Sequence, residues 1–128
     1  MKISFDFDGT IWDEFDRTPN NQKDEIGNIC KSYIRNNHDV FIVTKRWGPN
    51  NRDKGLKNEC DIVYHIGQSL GIKIENIIFT DREWKIDTLK KLNIDTHFEN
   101  AEIEVKMIQE TGIKVIPVED PYWRDLIY

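Results

Sequence analysis

Apolar residues along the chain fall into short runs, separated by stretches in which they recur at three- and four-residue spacing. Lys2 to Phe7 is apolar and β-prone and ends in Asp6-Phe7-Asp8-Gly9-Thr10, which reads as a strand followed by a sharp glycine turn. Residues 11–19 read as a polar loop closed by Pro19, and Asn20 or Asn21 as the cap of a helix running to about Asn37. Ile26, Ile29, Cys30, Tyr33 and Ile34 hold helical spacing along it. Asp39–Thr44 predicts a second strand, and its unbroken apolar run implies burial on both faces. A polar loop, Lys45 to Lys54, leads to a helix from about Leu56 to Leu70 that Gly71 stops. Three more strands are expected at Asn76–Thr80, Asp95–Glu99 and Ile113–Pro117, with helices over Lys85–Leu92 and Ala101–Glu110, the latter ended by Gly112. The aromatic tail, Val118 to Tyr128, reads as a packed loop or helical turn.

Strands alternating with helices predict an α/β domain spanning residues 1–128, with a five-stranded parallel sheet between two helical layers in a Rossmann-like three-layer sandwich. Ligands of such sheets bind beyond the carboxyl ends of the strands. Those ends are Asp6/Asp8, Thr44, Thr80/Asp81, Glu99/Asn100 and Pro117.

Charge and composition narrow the partners. A net charge of −5 supplies no basic field for an extended nucleic acid. Cys30 and Cys60 stand alone, with neither the spacing of a zinc site nor a disulfide framework, and read as reduced thiols of a cytoplasmic protein. The N-terminus turns acidic too early for a signal peptide, and no apolar run approaches a membrane span. Oligomeric state has no signature in the sequence.

Asp6 and Asp8 leave the same side of a strand about to turn. Two like charges that close require a cation or a shared proton. Magnesium takes hard oxygen ligands, and a carboxylate beside it can attack a bound phosphoryl group. The second carboxylate can protonate the leaving oxygen and then activate water. Taken alone, the pair also fits a calcium-like loop or an ordinary polar turn.

An apolar strand ending in DxDGT resembles the first motif of the haloacid dehalogenase superfamily, here Asp6-Phe7-Asp8-Gly9-Thr10. The second motif, an apolar strand ending in Thr or Ser, is matched by Val40 to Thr44. Lys85 stands where the third motif's lysine is expected, and Thr96-His97-Phe98-Glu99-Asn100 occupies the slot of the acidic fourth. The resemblance covers roughly residues 2 to 117. It implies a magnesium-dependent phosphomonoester hydrolase that passes through an aspartyl-phosphate. Asp6 would be nucleophile and metal ligand. Asp8 would be general acid/base, with its backbone carbonyl on the metal. Thr44 would hold phosphoryl oxygens, Lys85 would neutralise charge, and Gly9 and Thr10 would line the phosphate site. Glu99, ahead of Asn100, would complete the magnesium site, although the family usually offers two acids there; Asp81 is a further candidate for this service.

Family members carry caps after the first or second strand. Residues 9–19 allow only a short flap, and residues 45–74 are filled by one loop and one helix, so a capless enzyme with an open cleft is implied. Trp12, Trp47 and Trp84 each follow a strand that ends at this site and are candidates to stack on a nucleobase or substrate ring. The alternative is that they cover the edge of the core. Lys45, Arg46 and Arg52 are candidates to meet phosphate. Asp13, Glu14 and Asp16 read as a solvated acidic loop, and His38, His65 and His97 as forming no triad or metal pattern. The substrate, a phosphorylated small molecule or a macromolecular phosphate end, includes nucleotides and nucleic-acid ends. Phosphotransfer to another acceptor and a phosphate-binding module with little turnover are the competing readings. A receiver domain does not fit, because its phosphorylated Asp ends the third strand rather than the first.

Overall fold

The structure, a computed structural model, describes residues 1–13 and 22–128. Glu14, Asp16, Pro19 and the two asparagines of which one is expected to cap the helix, Asn20 and Asn21, lie outside the described residues. The strands are β1 (Lys2–Phe5), β2 (Asp39–Thr44), β3 (Ile77–Phe79), β4 (Thr96–Glu99) and β5 (Lys114–Pro117). The helices are α1 (Gln22–Arg35), α2 (Cys60–Ser69), α3 (Ile86–Lys91) and α4 (Glu102–Gln109). All neighbouring strands are parallel, in the order β3-β2-β1-β4-β5. The expected α/β sandwich with a five-stranded parallel sheet is therefore present, and no cap domain stands among the described residues.

The alternation of side chains along each strand makes the layers. Val40 and Ile42 of β2 join Ile3, Phe5, Phe98 and Ile116 in a core covered by Ile26, Ile29 and Cys30 of α1 and Val63 of α2. Phe41 and Val43 point the other way and pack with Leu89 of α3 and Val105 and Ile108 of α4. A strand buried on both faces has no polar side to show, which is why β2 reads as a continuous apolar run. Phe5 and Phe98 stack at 4.4 Å between ring centroids at the middle of the first core. Both thiols are buried and free; burial pushes Cys30 up to about 12.

Two boundaries differ from the expected ones in an instructive way. α2 begins at Cys60 rather than near Leu56. Residues 49–51 make a 3-10 turn, and Gly55 and Asn58 have φ of 61° and 57°, a left-handed conformation that interrupts any helix. β1 leaves the ladder after Phe5, although the Asp6 N–H still donates to the Phe98 carbonyl at 2.8 Å. The tail folds back as a 3-10 turn, Trp123–Leu126, and buries Trp123 in the first core. No helix among the described residues is long and apolar enough to cross a membrane.

Candidate active site

The strand order reverses direction at the centre of the sheet, where β1 has β2 on one side and β4 on the other. That is the switch point at which parallel α/β sheets open a crevice. A cavity of about 630 Å³ lies there. Asp6 and Asp8 come to it from the end of β1, Thr44 from β2, Glu99 and Asn100 from β4, and Lys85 from the residue preceding α3.

Lys85 is the hub. Only 2% exposed, its Nζ donates to Asp6 Oδ1 at 2.6 Å and to Glu99 Oε1 at 2.7 Å. The loop that delivers it is tied to the end of β2: Thr80 N–H donates to the Thr44 carbonyl at 2.8 Å and Arg82 N–H to the Lys45 carbonyl at 2.7 Å. Asp81 and Arg82 both carry positive φ, 52° and 70°. Two consecutive non-glycine residues in that region are uncommon and persist only where surrounding contacts hold them. One such contact is the Gly48 N–H donating to Asp81 Oδ1 at 2.7 Å. Asp81 is thereby committed to the loop.

Glu99 is fully buried and its oxygens are engaged inward. Oε1 also faces His97 Nε2 at 2.9 Å, and Oε2 accepts the Ala101 N–H at 3.1 Å. His97 Nδ1 in turn lies 2.6 Å from Ser4 Oγ. Burial lowers the His97 pKa, which favours the neutral ring. An ionised carboxylate accepts only, so Nε2 carries the proton and Nδ1 accepts from Ser4. The result is a polar chain, Ser4–His97–Glu99–Lys85–Asp6, running through the sheet face that α3 and α4 cover.

Two carboxylates therefore share one ammonium. Burial raises Asp6 to about 8 against the opposing pull of Lys85. Burial would raise Glu99 too, but the His97 hydrogen bond and Lys85 outweigh it and hold the carboxyl down near 2. Burial would lower Lys85, and the charges of Asp6 and Glu99 raise it instead. The cluster is one negative charge in excess when both carboxyls ionise, and Asp6 is the member that takes the proton.

Asp8 behaves differently. Its side chain is 54% exposed, and it accepts a forked pair from Arg46, Nε at 2.9 Å and Nη2 at 2.7 Å. Arg46 Nη1 donates to the Glu59 carbonyl at 2.8 Å, which fixes the guanidinium. Gly9, at φ 79°, turns the chain back so closely on β4 that a Cβ there would lie 2.2 Å from Asn100 Nδ2. The amide of Asn100 thus sits on the DxDG turn, whereas Glu99 faces the interior. Thr10 Oγ1 donates to Asp6 Oδ2 at 3.3 Å, and Arg46 N–H donates to Thr44 Oγ1, also at 3.3 Å.

Asp6, Asp8, Thr44, Lys45, Arg46, Lys85, Glu99 and Asn100 all line the cavity. Gly9 and Thr10 lie behind it as turn and support. Of the tryptophans, Trp84 lines it, with Lys45 Nζ 4.1 Å from its ring centroid. Trp12 stacks on Phe7 and lines a separate cavity beside α1. Trp47 lies under Lys54, 4.9 Å from its Nζ, and Arg52 pairs with Asp61. Arg82 and Glu104 line the cavity without having been singled out in the sequence. Ser4 and His97 had a readable signal, being polar residues in apolar strands, paired in register between β1 and β4.

The donor set offered to a cation is oxygen only, as a hard divalent ion requires. No group of three or more acidic, histidine or cysteine side chains converges on one point among the described residues. With Glu99 turned inward and both Asp8 carboxylate oxygens held by Arg46, the side-chain oxygens left at the turn are Asp6 Oδ2 and that of the Asn100 amide, and the negative charge present when Asp6 ionises suits a cation there. The chain matches no family model and no curated protein.

Proposed function

We propose that this chain is a phosphomonoester hydrolase of the haloacid dehalogenase type, working through a phosphoryl group carried on Asp6. The observation that carries the reading is the convergence on Asp6. Lys85, 79 residues away in sequence, comes within 2.6 Å of its carboxylate, in a cavity that also holds Thr44 and Asp8. Phosphoryl transfer asks for positioning and charge neutralisation, and this cluster offers both.

In the reaction, Asp6 first gives up its proton to solvent, and its Oδ2 then attacks phosphorus while Lys85 fixes the other oxygen. The P–O bond to the leaving group breaks, and Asp8, released by Arg46 and protonated from solvent, gives that oxygen a proton. Asp8 then takes a proton from water, whose oxygen attacks the phosphorus and returns Asp6 as a carboxylate. Thr44 Oγ1 and Arg46 hold phosphoryl oxygens, which requires Arg46 to exchange Asp8 for phosphate. Magnesium would be held by Asp6, the Asp8 backbone carbonyl and the Asn100 amide oxygen, with Glu99 kept as the anchor of Lys85. Bound there, the ion would supply charge neutralisation for the phosphoryl oxygens. The substrate class is a phosphorylated small molecule or phosphate end.

One observation favours a second reading, a phosphate-binding module with little turnover: Arg46 holds both oxygens of Asp8. Hydrolysis of p-nitrophenyl phosphate with and without magnesium separates the two. The hydrolase reading expects magnesium-dependent release that Asp6→Asn reduces by about a thousandfold or more, in the range seen for loss of a nucleophile. Release that Asp6→Asn leaves intact would sink it.

A further inference from the structure

Among the charged groups of the cavity that the proposed chemistry leaves without a task, Glu104 is the buried one. Glu104, in the first turn of α4, lines the cavity beside Lys85 and is only 2% exposed. Its Oε1 accepts the Lys85 backbone N–H at 3.4 Å. Its Oε2 is, among the described residues, the one buried side-chain nitrogen or oxygen with no hydrogen-bond partner. A carboxylate near a helix N-terminus is electrostatically favoured. That explains a Glu on this turn, but not a buried oxygen with nothing to accept in a residue that lines the cavity. Such an atom bears its full desolvation cost until a donor arrives.

The phosphate is not that donor. A phosphomonoester is anionic, and its place is at Lys85, Thr44 and Arg46; a second anion repels it. The cavity, at about 630 Å³, is larger than a phosphoryl group needs. Trp84, 48% exposed, and Ile103, 62% exposed, give its rim an apolar surface next to Glu104. We infer that Glu104 Oε2 is the substrate-selecting acceptor of this site, taking an O–H or N–H from the leaving group of the phosphoester. The ligand class is a phosphomonoester whose carbon skeleton or ring carries a hydroxyl or amino group and rests against Trp84 and Ile103. Burial pushes the Glu104 carboxyl up, and a ligand donor would offset that by favouring the ionised form.

This inference rests on the hydrolase reading, and the two can fail separately. The probes are phenyl phosphate and its amino- and hydroxymethyl-substituted derivatives, which differ only in the donor. With magnesium present, kcat/KM for the best donor-bearing ester should exceed that for phenyl phosphate by about tenfold or more, as sites built around a ligand donor discriminate. Glu104→Gln keeps an oxygen for the Lys85 N–H and puts an amide NH2 in the place of Oε2. It should bring that ratio to within about twofold of unity, as expected when a hydrogen bond to a charged group is lost. Calorimetric binding of the same esters to the Asp6→Asn chain, with and without Glu104→Gln, should give the same change in ratio. If nothing is hydrolysed but the binding preference exists and Glu104→Gln removes it, the hydrolase reading falls and the acceptor stands. A flat series in the unmodified chain, or a preference that survives Glu104→Gln, overturns the inference.

Discussion

At the scale of the residue, the site is organised by a charge imbalance around Lys85. Asp6 and Glu99 both approach its Nζ, but they are not equivalent. Glu99 has a second donor in His97 and a third in the Ala101 N–H, so it stays ionised while Asp6 is raised to about 8. The raised carboxyl binds a proton in the folded chain that it lacks in the unfolded one. Its contribution to stability is therefore full below the ordinary carboxylate range and is lost as pH rises through about 8. In metal-free buffer, the unmodified chain should lose stability between pH 5 and pH 8 relative to Asp6→Asn, by about 1.4 kcal/mol per unit of effective shift. Urea denaturation at the two pH values measures this, and parallel behaviour of the two chains would remove the basis for the assignment. The same asymmetry divides the two residues at the end of β4. Asn100→Asp should tighten magnesium binding by about tenfold, since a charged ligand replaces a neutral one. Glu99→Gln should act chiefly by unseating Lys85, costing about 3–5 kcal/mol as a broken buried ion pair. Calorimetric magnesium titration and urea denaturation of both variants distinguish an ion ligand from an anchor. Asp6, Asp8, Thr44 and Lys85 were legible because a motif and a strand order named them. Glu104, and the pairing of Arg46 with Asp8, were not, because each depends on contacts between residues distant in sequence that no local pattern encodes.

At the scale of the element, turns do the positioning. The five strands were legible because each is a short apolar run between turn signals, and the start of α2 was not, because Gly55 and Asn58 adopt left-handed backbone inside a stretch of otherwise helical composition. The β1 turn gives a test of how tightly turn and site are joined. Gly9 and Gly112 both have positive φ, 79° and 84°. A Cβ at Gly9 would meet the Asn100 amide at 2.2 Å, while one at Gly112 would meet nothing within 4 Å. Both alanine variants bear the left-handed cost of about 1–2 kcal/mol. Gly9→Ala should lose about 1–3 kcal/mol more, as overpacking does, and its magnesium affinity should fall because Asn100 must move. Gly112→Ala should leave magnesium affinity unchanged. Equal losses of stability from the two substitutions would mean that Asn100 yields freely and that the turn does not hold it.

At the scale of the whole molecule, the alternation of strand and helix dictated the layers, and the strand order placed the cavity, but nothing in the alternation said what the aromatic tail does. The tail closes the first core. Trp123 is 1% exposed, packs among the buried apolar residues of that core, and donates its Nε1–H to Gln22 Oε1 at 3.2 Å. Gln22 Nε2 donates to the Val118 carbonyl at 2.8 Å, and Arg124 pairs with Glu25. The first turn of α1 is thus bound to the last residues of the chain, about a hundred positions later. That is a long loop to close, and its closure must be offset by the contact it makes. Trp123→Ala should cost about 3–5 kcal/mol through the cavity it leaves. Trp123→Phe keeps an aromatic ring and strips the hydrogen bond, leaving Gln22 Oε1 without its donor, and should cost about 1–3 kcal/mol. Urea denaturation followed by hydrogen exchange at α1 separates two cases. If the tail is part of the core, both variants lower global stability and exchange at Gln22 to Ile26 rises with it. If the tail only rests on the surface, Trp123→Ala falls within about 0.5 kcal/mol of the unmodified chain, as surface changes do, and the account of the first core must be redrawn without it.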